Sequence, residues 1–235
     1  MEFERLSAPS LKELFVQQVR DKILAGELGV GSRLPPEREL ARQMQVSRAV
    51  VNGGLAELAR QGFLELRPRQ GTFVADYRRS GNMDTLIAIM DYKGGMLANS
   101  EIRAILEVRR ALEHLACELA IDCASDAELA ELGAIIDELG RAETPGEAAR
   151  IAFRFQHELA FVGGNSILPL IYYSFRSPVI TLWERFCSRH SVEALYRNAS
   201  TLLEHVRNRD KAAVGRWIDQ YLNEAIRGRR QIYEG

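Results

Sequence analysis

The stretch SRLPPERELARQMQVSRAVVNGGLAELARQGFLELRPRQGTFV, residues 32–74, decides how the first third of this chain folds. Its first helical run, PERELARQM, begins on proline, which is favoured at the first helical position because no N–H is needed there. Ser47 is the predicted cap of a second helical run, in which Val51, Leu55 and Leu58 recur on one face. The spacing predicts two helices about one turn apart.

The flanking sequence adds a helix before this pair and a hairpin after it. SLKELFVQQVRDKILAGEL, residues 10–28, predicts a helix opened by a capping box of Ser10 and Glu13. FLELR and GTFVADY are short alternating runs joined by residues 68–71, a pattern typical of a β-hairpin. Three helices followed by a hairpin predict a winged helix-turn-helix.

The rest of the chain has helical patterns throughout. An apolar stripe with spacings of 3, 4, 3 and 4 is predicted at Ile105, Val108, Leu112, Leu115 and Leu119. Later helix starts are predicted at the capping boxes SDAE (125–128) and TPGE (144–147), and at Asn165, Ser191 and Asp210. Short connections between such helices favour a bundle, whose core is a natural place for a ligand.

We therefore expect a mainly α protein of two domains. The N-terminal winged helix-turn-helix with its small β-hairpin wing is expected at 8–78, followed by a linker at 79–84. A C-terminal all-α bundle of six to seven helices is expected at 85–235.

Composition sets broad limits on function. With 46% apolar and 27% charged residues the chain is typical of globular proteins. The net charge of −1 hides a local excess of nine basic over five acidic residues in 31–80, which slightly favours a nucleic-acid partner. Three cysteines without a CxxC pair, and no leader or apolar run of ~20 residues, predict a reduced, cytoplasmic protein with no membrane partner.

The basic residues lie where a winged helix contacts DNA. The helix that enters the major groove presents its N-terminal residues to the base edges. Arg48, one residue past the cap, is placed to fork onto O6 and N7 of a guanine, and Arg38 to reach the same groove or nearby phosphates. Arg67, Arg69 and Gln70 of the wing are placed for the adjacent backbone or minor groove. The alternative is a solvated basic face on a small helical domain.

The motifs L-P-x-E-R-x-L-A, V-S-R, G-x-L and G-T-F-V, over about residues 10–75, resemble the N-terminal domain of GntR-family transcriptional regulators. With the wing, the resemblance gives a candidate DNA-binding set of Arg38, Ser47, Arg48, Ala49, Val50, Asn52, Arg67, Arg69, Gln70 and Gly71. Two departures stand out: Asn52-Gly53-Gly54 replaces the usual Arg-Glu-Ala, and Arg69 replaces a usual glycine. The operator is therefore expected to differ from the family's common palindrome.

EVRRALEHLACELA, FRFQHELAFVGGNSIL and LLEHVRNRDKAAV resemble the effector-binding domain of the FadR subfamily. Many such domains hold a divalent metal through one aspartate and three histidines. Those positions fall here at Ala152, Gln156, Ala199 and Tyr221, so no metal is expected. His157 becomes a candidate ligand if the register slips by one residue. His114, His157, His190 and His205 are otherwise interpreted as surface or core histidines.

The effector site is expected among arginines and aromatic residues of the bundle. The candidate set is Arg109, Gln156, Tyr172, Trp183, Arg185, Ala199 and Tyr221. A buried arginine needs an anion or a carboxylate partner. For Arg109, Glu113 at i+4 offers an internal ion pair, while a fatty acyl-CoA or a small organic acid is the expected effector. Core packing is the alternative for most of the aromatic residues.

Together these patterns predict a ligand-responsive regulator, expected to repress, that binds a palindromic operator in double-stranded DNA as a homodimer. No cofactor and no enzyme activity are expected. An aminotransferase-like enzyme fused to the DNA-binding domain needs far more than the 155 residues after position 80. An effector-independent DNA-binding or architectural protein is the remaining alternative.

Overall fold

In the computed structural model the described residues are 9–90, 92 and 99–227, with side chains described for all of these except 99–101 and 227. Contacts divide the chain into two compact units, Met1–Gly94 and Gly95–Gly235. The first unit contains α1 (Leu11–Leu24), α2 (Glu37–Gln43), α3 (Arg48–Arg60), β1 (Leu64–Arg67), β2 (Gly71–Val74), α4 (Tyr77–Ser80) and α5 (Met83–Met90). The second contains α6 (Asn99–Cys123), α7 (Asp126–Leu139), α8 (Pro145–Val162), α9 (Leu168–Ser174), α10 (Arg176–His190), α11 (Val192–Arg207) and α12 (Lys211–Arg227).

This architecture confirms the predicted fold class. The first unit is a winged helix-turn-helix, because α1–α3 are followed by an antiparallel hairpin that pairs Leu64 with Val74 and Arg67 with Gly71. The second unit, within its described part, consists of seven helices and no strand. No helix of the described residues is long and apolar enough to span a membrane.

The capping residues act largely as predicted. Ser10 Oγ accepts a hydrogen bond from the Glu13 backbone N–H (3.2 Å), and the Glu13 carboxylate accepts one from the Ser10 N–H (2.7 Å). Ser47 caps α3 in the same way. Pro36 is instead the N-cap of α2, so the helix begins one residue later than predicted. At the start of α8, Thr144 Oγ1 accepts a hydrogen bond from the Glu147 backbone N–H. The Glu147 carboxylate accepts from the Glu143 N–H and not from the Thr144 N–H, so the predicted capping box is incomplete.

Helices α1 and α3 meet at a glycine. A Cβ atom on Gly54 would lie well inside van der Waals contact with Cδ1 of Phe15, whose ring is 1% exposed. A Cβ atom on the preceding residue, Gly53, would meet only the Lys12 side chain, at 3.7 Å. The two glycines therefore differ in kind. Gly54 permits the close approach of the helices, whereas Gly53 only lowers helix propensity.

The wing contains a residue in a strained backbone conformation. Arg69 lies in the turn between the strands at φ +63°, in the left-handed region that residues other than glycine rarely adopt. This geometry explains why glycine is usual at that position. The base of the wing is tied to the segment before α2 by a bridge between Arg33 and Phe73.

Helix α5 is held against the end of α3. Asn82 Nδ2 donates to the Arg60 carbonyl oxygen (2.9 Å), Thr85 Oγ1 donates to the Gln61 carbonyl oxygen, and Arg60 pairs with Asp84 at 2.6 Å. The division between compact units accordingly falls between residues 94 and 95. The sequence predicts a linker at 79–84 and a second domain from residue 85, and this boundary stays a prediction. These side-chain contacts over 22 to 24 residues cannot be read from composition.

The buried face of α6 differs from the predicted stripe. Val108 and Leu115 are 51% and 41% exposed, while Ile105, Leu112 and Leu119 are only partly buried. The face that packs against α8, α11 and α12 contains Ile102, Leu106, Glu113, Cys117 and Ala120, all at least 97% buried. The stripe prediction was wrong for Val108 and Leu115, whereas the other three residues pack against core clusters. The most buried face contains small side chains and one carboxylate where a purely apolar pattern was expected.

Candidate functional site

The first candidate surface is formed by the N-terminal ends of α2 and α3. Arg48 is the first residue of α3 and its side chain is 69% exposed. Arg38 lies in the first turn of α2 and is also exposed. Glu37 connects the two helices, because its Oε2 atom lies 3.9 Å from Nη2 of Arg48. Both arginines thus present guanidinium groups to solvent.

Asn52 shares the same carboxylate. With its amide oriented so that both ends are satisfied, Asn52 Nδ2 donates to Glu37 Oε2 (2.7 Å) and to the Arg48 carbonyl oxygen (3.3 Å). Glu37 therefore contacts both Arg48 and Asn52 of α3. Sequence reasoning missed Glu37, since it lies 11 residues before Arg48 and no local pattern connects them.

The remaining predicted residues of α3 differ in exposure. Ser47 Oγ accepts from the Val50 N–H at 3.3 Å, so its hydroxyl fixes the helix end. Ala49 is exposed, whereas Val50 is half-buried and packs against the core of the unit. The Val50 side chain therefore contributes to the core as well as to the exposed surface of α3.

The wing carries the other predicted residues. Arg67, Arg69 and Gln70 are exposed, and Gly71 is half-buried with φ +116°. Arg67 Nη2 donates to Glu65 Oε2 at 2.8 Å, and this hydrogen bond lowers the pKa of Glu65. The Arg67 guanidinium also lies 4.5 Å from the centroid of the Phe73 ring. Arg67 is therefore held on the wing, while Arg69 projects from the turn.

The second candidate site is a cavity in the helical unit with a volume of about 50 Å³. Five of the seven predicted effector residues line it: Arg109, Gln156, Trp183, Ala199 and Tyr221. Tyr172 and Arg185 are not among the lining residues, although Tyr172 is buried. The lining also contains Glu113 and Asn198, which the sequence did not indicate as site residues, together with apolar side chains.

An ion pair lies in the wall of the cavity. Arg109 Nε is 3.2 Å from Glu113 Oε2, with side-chain exposures of 17% and 0%. The Arg109 Cζ atom lies 4.7 Å from the Trp183 ring centroid and 5.8 Å from that of Tyr221. Burial opposes the charged guanidinium most strongly, but the Glu113 carboxylate together with Tyr221 and Tyr172 leaves the pKa of Arg109 raised. The internal ion pair predicted for Arg109 is confirmed.

Several buried polar atoms around this pair lack a hydrogen-bond partner. Glu113 Oε1 accepts from Gln156 Nε2 at 2.5 Å. The atoms without a hydrogen bond of good geometry are Gln156 Oε1, the hydroxyl oxygens of Tyr172 and Tyr221, and Glu113 Oε2, which has only the ion pair with Arg109. Burial and then the nearby carboxylate raise the pKa of both tyrosines well above its usual range, so their hydroxyls stay neutral. Buried polar atoms in protein cores usually have a hydrogen-bond partner, so this group of atoms makes the cavity a candidate binding site.

The metal site of related domains does not fit these residues. Ala152, Gln156, Ala199 and Tyr221, at the corresponding positions, all line the cavity, yet none offers an imidazole or a carboxylate. Within the described residues, no three His, Cys, Asp or Glu side chains are grouped so as to hold a metal ion.

The histidines lie in other surroundings. His157 does not line the cavity; its ring lies 5.8 Å from that of Phe153 and 5.1 Å from that of Phe161. His114 Nε2 lies 3.4 Å from an Asp219 carboxylate oxygen. His190 packs near Phe186, and His205 near Trp217.

A winged helix-turn-helix with exposed arginines, followed in the same chain by a helical unit whose mainly apolar cavity contains an ion pair, is the architecture of a transcription regulator. Residues 11–74 match the model described as bacterial regulatory proteins, gntR family, and residues 104–224 match the FCD domain. The chain belongs to the GntR family and carries an FCD domain as its C-terminal part. It is a DNA-binding regulator and not an enzyme.

Two curated relatives and one solved structure agree with this assignment. The regulator Mce2R of Mycobacterium tuberculosis is 32% identical over 180 residues, covering 75% of this chain and 73% of that protein. LutR of Bacillus subtilis is 28% identical over 197 residues, covering 81% and 85%. The structure of Lar, described as controlling the agr system of Listeria monocytogenes, covers 94% of this chain and 97% of its own at a TM-score of 0.64. At 17% identity, that likeness supports the fold alone.

Proposed function

We propose that this protein is a cytoplasmic, ligand-responsive repressor of the FadR subfamily that binds a palindromic operator as a homodimer. An effector in the cavity of the helical unit changes the affinity for DNA. The observation that carries this proposal is the group of unpartnered buried atoms beside Arg109 and Glu113. An effector-independent DNA-binding protein has no use for such a group, which leaves polar atoms unsatisfied in a core.

Arg38 and Arg48 are the proposed base-reading and phosphate-contacting residues, with Ser47, Ala49, Asn52 and the wing arginines around them. The exposure of both guanidinium groups supports this role. Glu37 holds Asn52 and Arg48 in place, so Asn52 becomes available to an adenine edge when DNA replaces the carboxylate. The domain boundary, with α5 belonging to the first unit, is part of the same proposal.

Replacing Arg48 with alanine tests the DNA-binding part. We expect a loss of about 1–3 kcal/mol in affinity for the selected operator and a much smaller loss on random DNA. Affinities would be measured by fluorescence anisotropy on an operator obtained by selection from a random library. Arg42→Ala is the matched control, because Arg42 is an exposed arginine of α2 paired with Glu39. Equal losses on operator and random DNA would contradict base reading by Arg48.

The homodimer is proposed to form through the helical unit. Val108 and Leu115 on α6, Phe161 on α8, and Ile167 and Leu170 at α9 are 41–64% exposed large apolar residues. Such side chains on neighbouring helices favour a protein interface. Light scattering on the full chain should give twice the mass of one chain, and Leu115→Arg combined with Leu170→Arg should give a monomer. A wild-type monomer at micromolar concentration would overturn this proposal.

The effector is proposed to be a small organic acid in preference to a fatty acyl-CoA. The cavity volume of about 50 Å³ is far below the ~300–1,000 Å³ of a pocket that encloses a larger ligand. Mass spectrometry under native conditions should detect a low-mass species bound to the purified protein. A co-purified acyl-CoA would favour the other effector class, and operator affinity unmoved by any bound species would favour an effector-independent regulator.

A further inference from the structure

The polar wall of the cavity has a charge pattern that narrows the class of effector. We propose that the cavity beside Arg109 and Glu113 binds a small zwitterion, a molecule that carries an anionic group and an ammonium group on neighbouring atoms, as a free amino acid does. This inference rests on the proposed effector role of the cavity. It goes further by assigning a second charged group to the ligand and a recognition role to Glu113.

Charge balance is the first argument. Of the described residues that line the cavity, Arg109 has the only guanidinium and Glu113 the only carboxyl group, and the two form an ion pair. A simple carboxylate bound to Arg109 would give this buried region a net negative charge. An uncompensated charge in a poorly solvated interior is strongly disfavoured. A zwitterion leaves the region neutral.

The vacant hydrogen-bonding positions are the second argument. Gln156 must turn its NH₂ group to Glu113, because a carboxylate is an acceptor only, and this fixes the amide carbonyl oxygen without a donor. Glu113 Oε2 also lacks a hydrogen bond of good geometry. A ligand group with several donors can satisfy both of these acceptors at once. An ammonium group has three.

The aromatic residues set where the anionic group binds. The guanidinium of Arg109 lies against Trp183 and near Tyr221, and its Nε faces Glu113. A ligand carboxylate therefore meets the remaining N–H edge of the guanidinium, where two parallel hydrogen bonds are available. The Tyr221 hydroxyl, kept neutral by burial and by the nearby Glu113 carboxylate, is a further donor without a hydrogen bond of good geometry. The position for the ligand carboxylate, at Arg109, thus lies beside the position for the ligand ammonium group, at Glu113.

Matched sets of small molecules test this with the wild-type full chain. L-alanine, glycine and L-serine would each be compared with the acid lacking its amino group and the amine lacking its carboxylate. The readouts are thermal stability and titration calorimetry. We expect at least one amino acid to raise the melting temperature and to bind at least tenfold more tightly than either counterpart. Equal binding of the acid lacking the amino group, or no binding by any amino acid when the panel is extended to all twenty, would overturn the proposal.

Glu113→Gln tests the recognition role of the carboxylate. This variant gives the cavity a net positive charge, so propionate should gain affinity and L-alanine should lose it, reversing the preference. Glu118→Gln on the exposed side of the same helix is the matched control and should keep the wild-type preference. If Glu113→Gln does not fold, Gln156→Leu removes one acceptor and should weaken amino-acid binding without a gain for propionate. An unchanged preference in the folded variant would contradict the proposal.

The two proposals fail in different ways. If a simple acid binds to the cavity and alters operator affinity, the zwitterion inference fails while the regulatory function stands. If no small molecule of either class binds or alters operator affinity, both fail.

Discussion

The two units each contain an arginine beside a glutamate, in opposite surroundings. In the first unit Arg48 is 69% exposed and lies 3.9 Å from Glu37. In the second, Arg109 is 17% exposed and lies 3.2 Å from a fully buried Glu113. Exposed pairs contribute little to stability and are screened by salt, whereas a buried pair cannot lose one member without leaving an isolated charge.

This difference shows how one pairing can serve two kinds of binding. In the proposed DNA-binding role, the exposed Arg48 would exchange its carboxylate for phosphates or base edges at little cost in free energy. The buried arginine keeps its carboxylate, and a ligand must match both charges at once. The buried pair of Arg109 and Glu113 is therefore the one suited to select a small molecule by its charges.

The largest predicted effect is on the stability of the second unit. Glu113→Leu leaves Arg109 buried without its partner, and we expect the free energy of unfolding to fall by about 3–5 kcal/mol. The equivalent change in the first unit, Glu37→Leu, should alter stability by less than ~1 kcal/mol, because the pair there is exposed. Urea denaturation followed by circular dichroism measures both.

A double variant sharpens this comparison. Arg109→Met combined with Glu113→Leu removes both charges, and most of the lost stability should return, since a buried pair can often be replaced by apolar residues of similar volume. Were the double variant no more stable than Glu113→Leu alone, the isolated charge would not be the cause.

The next effect concerns the packing of the first unit. Gly54→Ala forces a methyl group against Phe15 and should lower the free energy of unfolding by about 1–3 kcal/mol. Gly53→Ala meets no such obstacle and should raise it by ~0.5–1 kcal/mol through better helix propensity. The two variants differ by one position in one helix, so opposite signs in the same denaturation assay are the diagnostic result. Two changes of the same sign would contradict the close approach at Gly54.

The smallest effect is expected at the wing. Arg69→Gly relieves a left-handed backbone and should stabilise the first unit by about 1 kcal/mol, while weakening DNA binding through the lost charge. Arg69→Ala is the control, because it removes the charge and keeps the strained conformation. Both variants should lose DNA affinity equally, with only the glycine variant more stable. Calorimetric melting and anisotropy titration separate the two properties.

Local signals in the sequence predicted most of the first unit. Ser10 and Ser47 cap their helices because their hydroxyls accept from backbone N–H groups three residues ahead, a rule that needs no tertiary information. The hairpin followed from two alternating runs and a short turn. The exposure of Arg38 and Arg48 followed from their positions at helix starts.

The buried polar features were harder to predict. Apolar periodicity on α6 pointed to Val108 and Leu115, yet the core face of that helix contains Glu113 and Cys117. Glu113 is accommodated because Arg109 lies one turn away and Gln156 reaches it from α8. The first partner is visible at i+4 in the sequence, and the second depends on how two helices pack. Glu37 was missed for the same reason.

The contact between Phe15 and Gly54 constrains which substitutions this chain can accept. A side chain can enter position 54 only after the ring at position 15 has been replaced by something smaller, so the order of the two substitutions matters. Residues 15 and 54 should therefore change together among descendants of this chain, although 39 residues separate them. Position 53 does not contact Phe15, so it should vary independently of position 15.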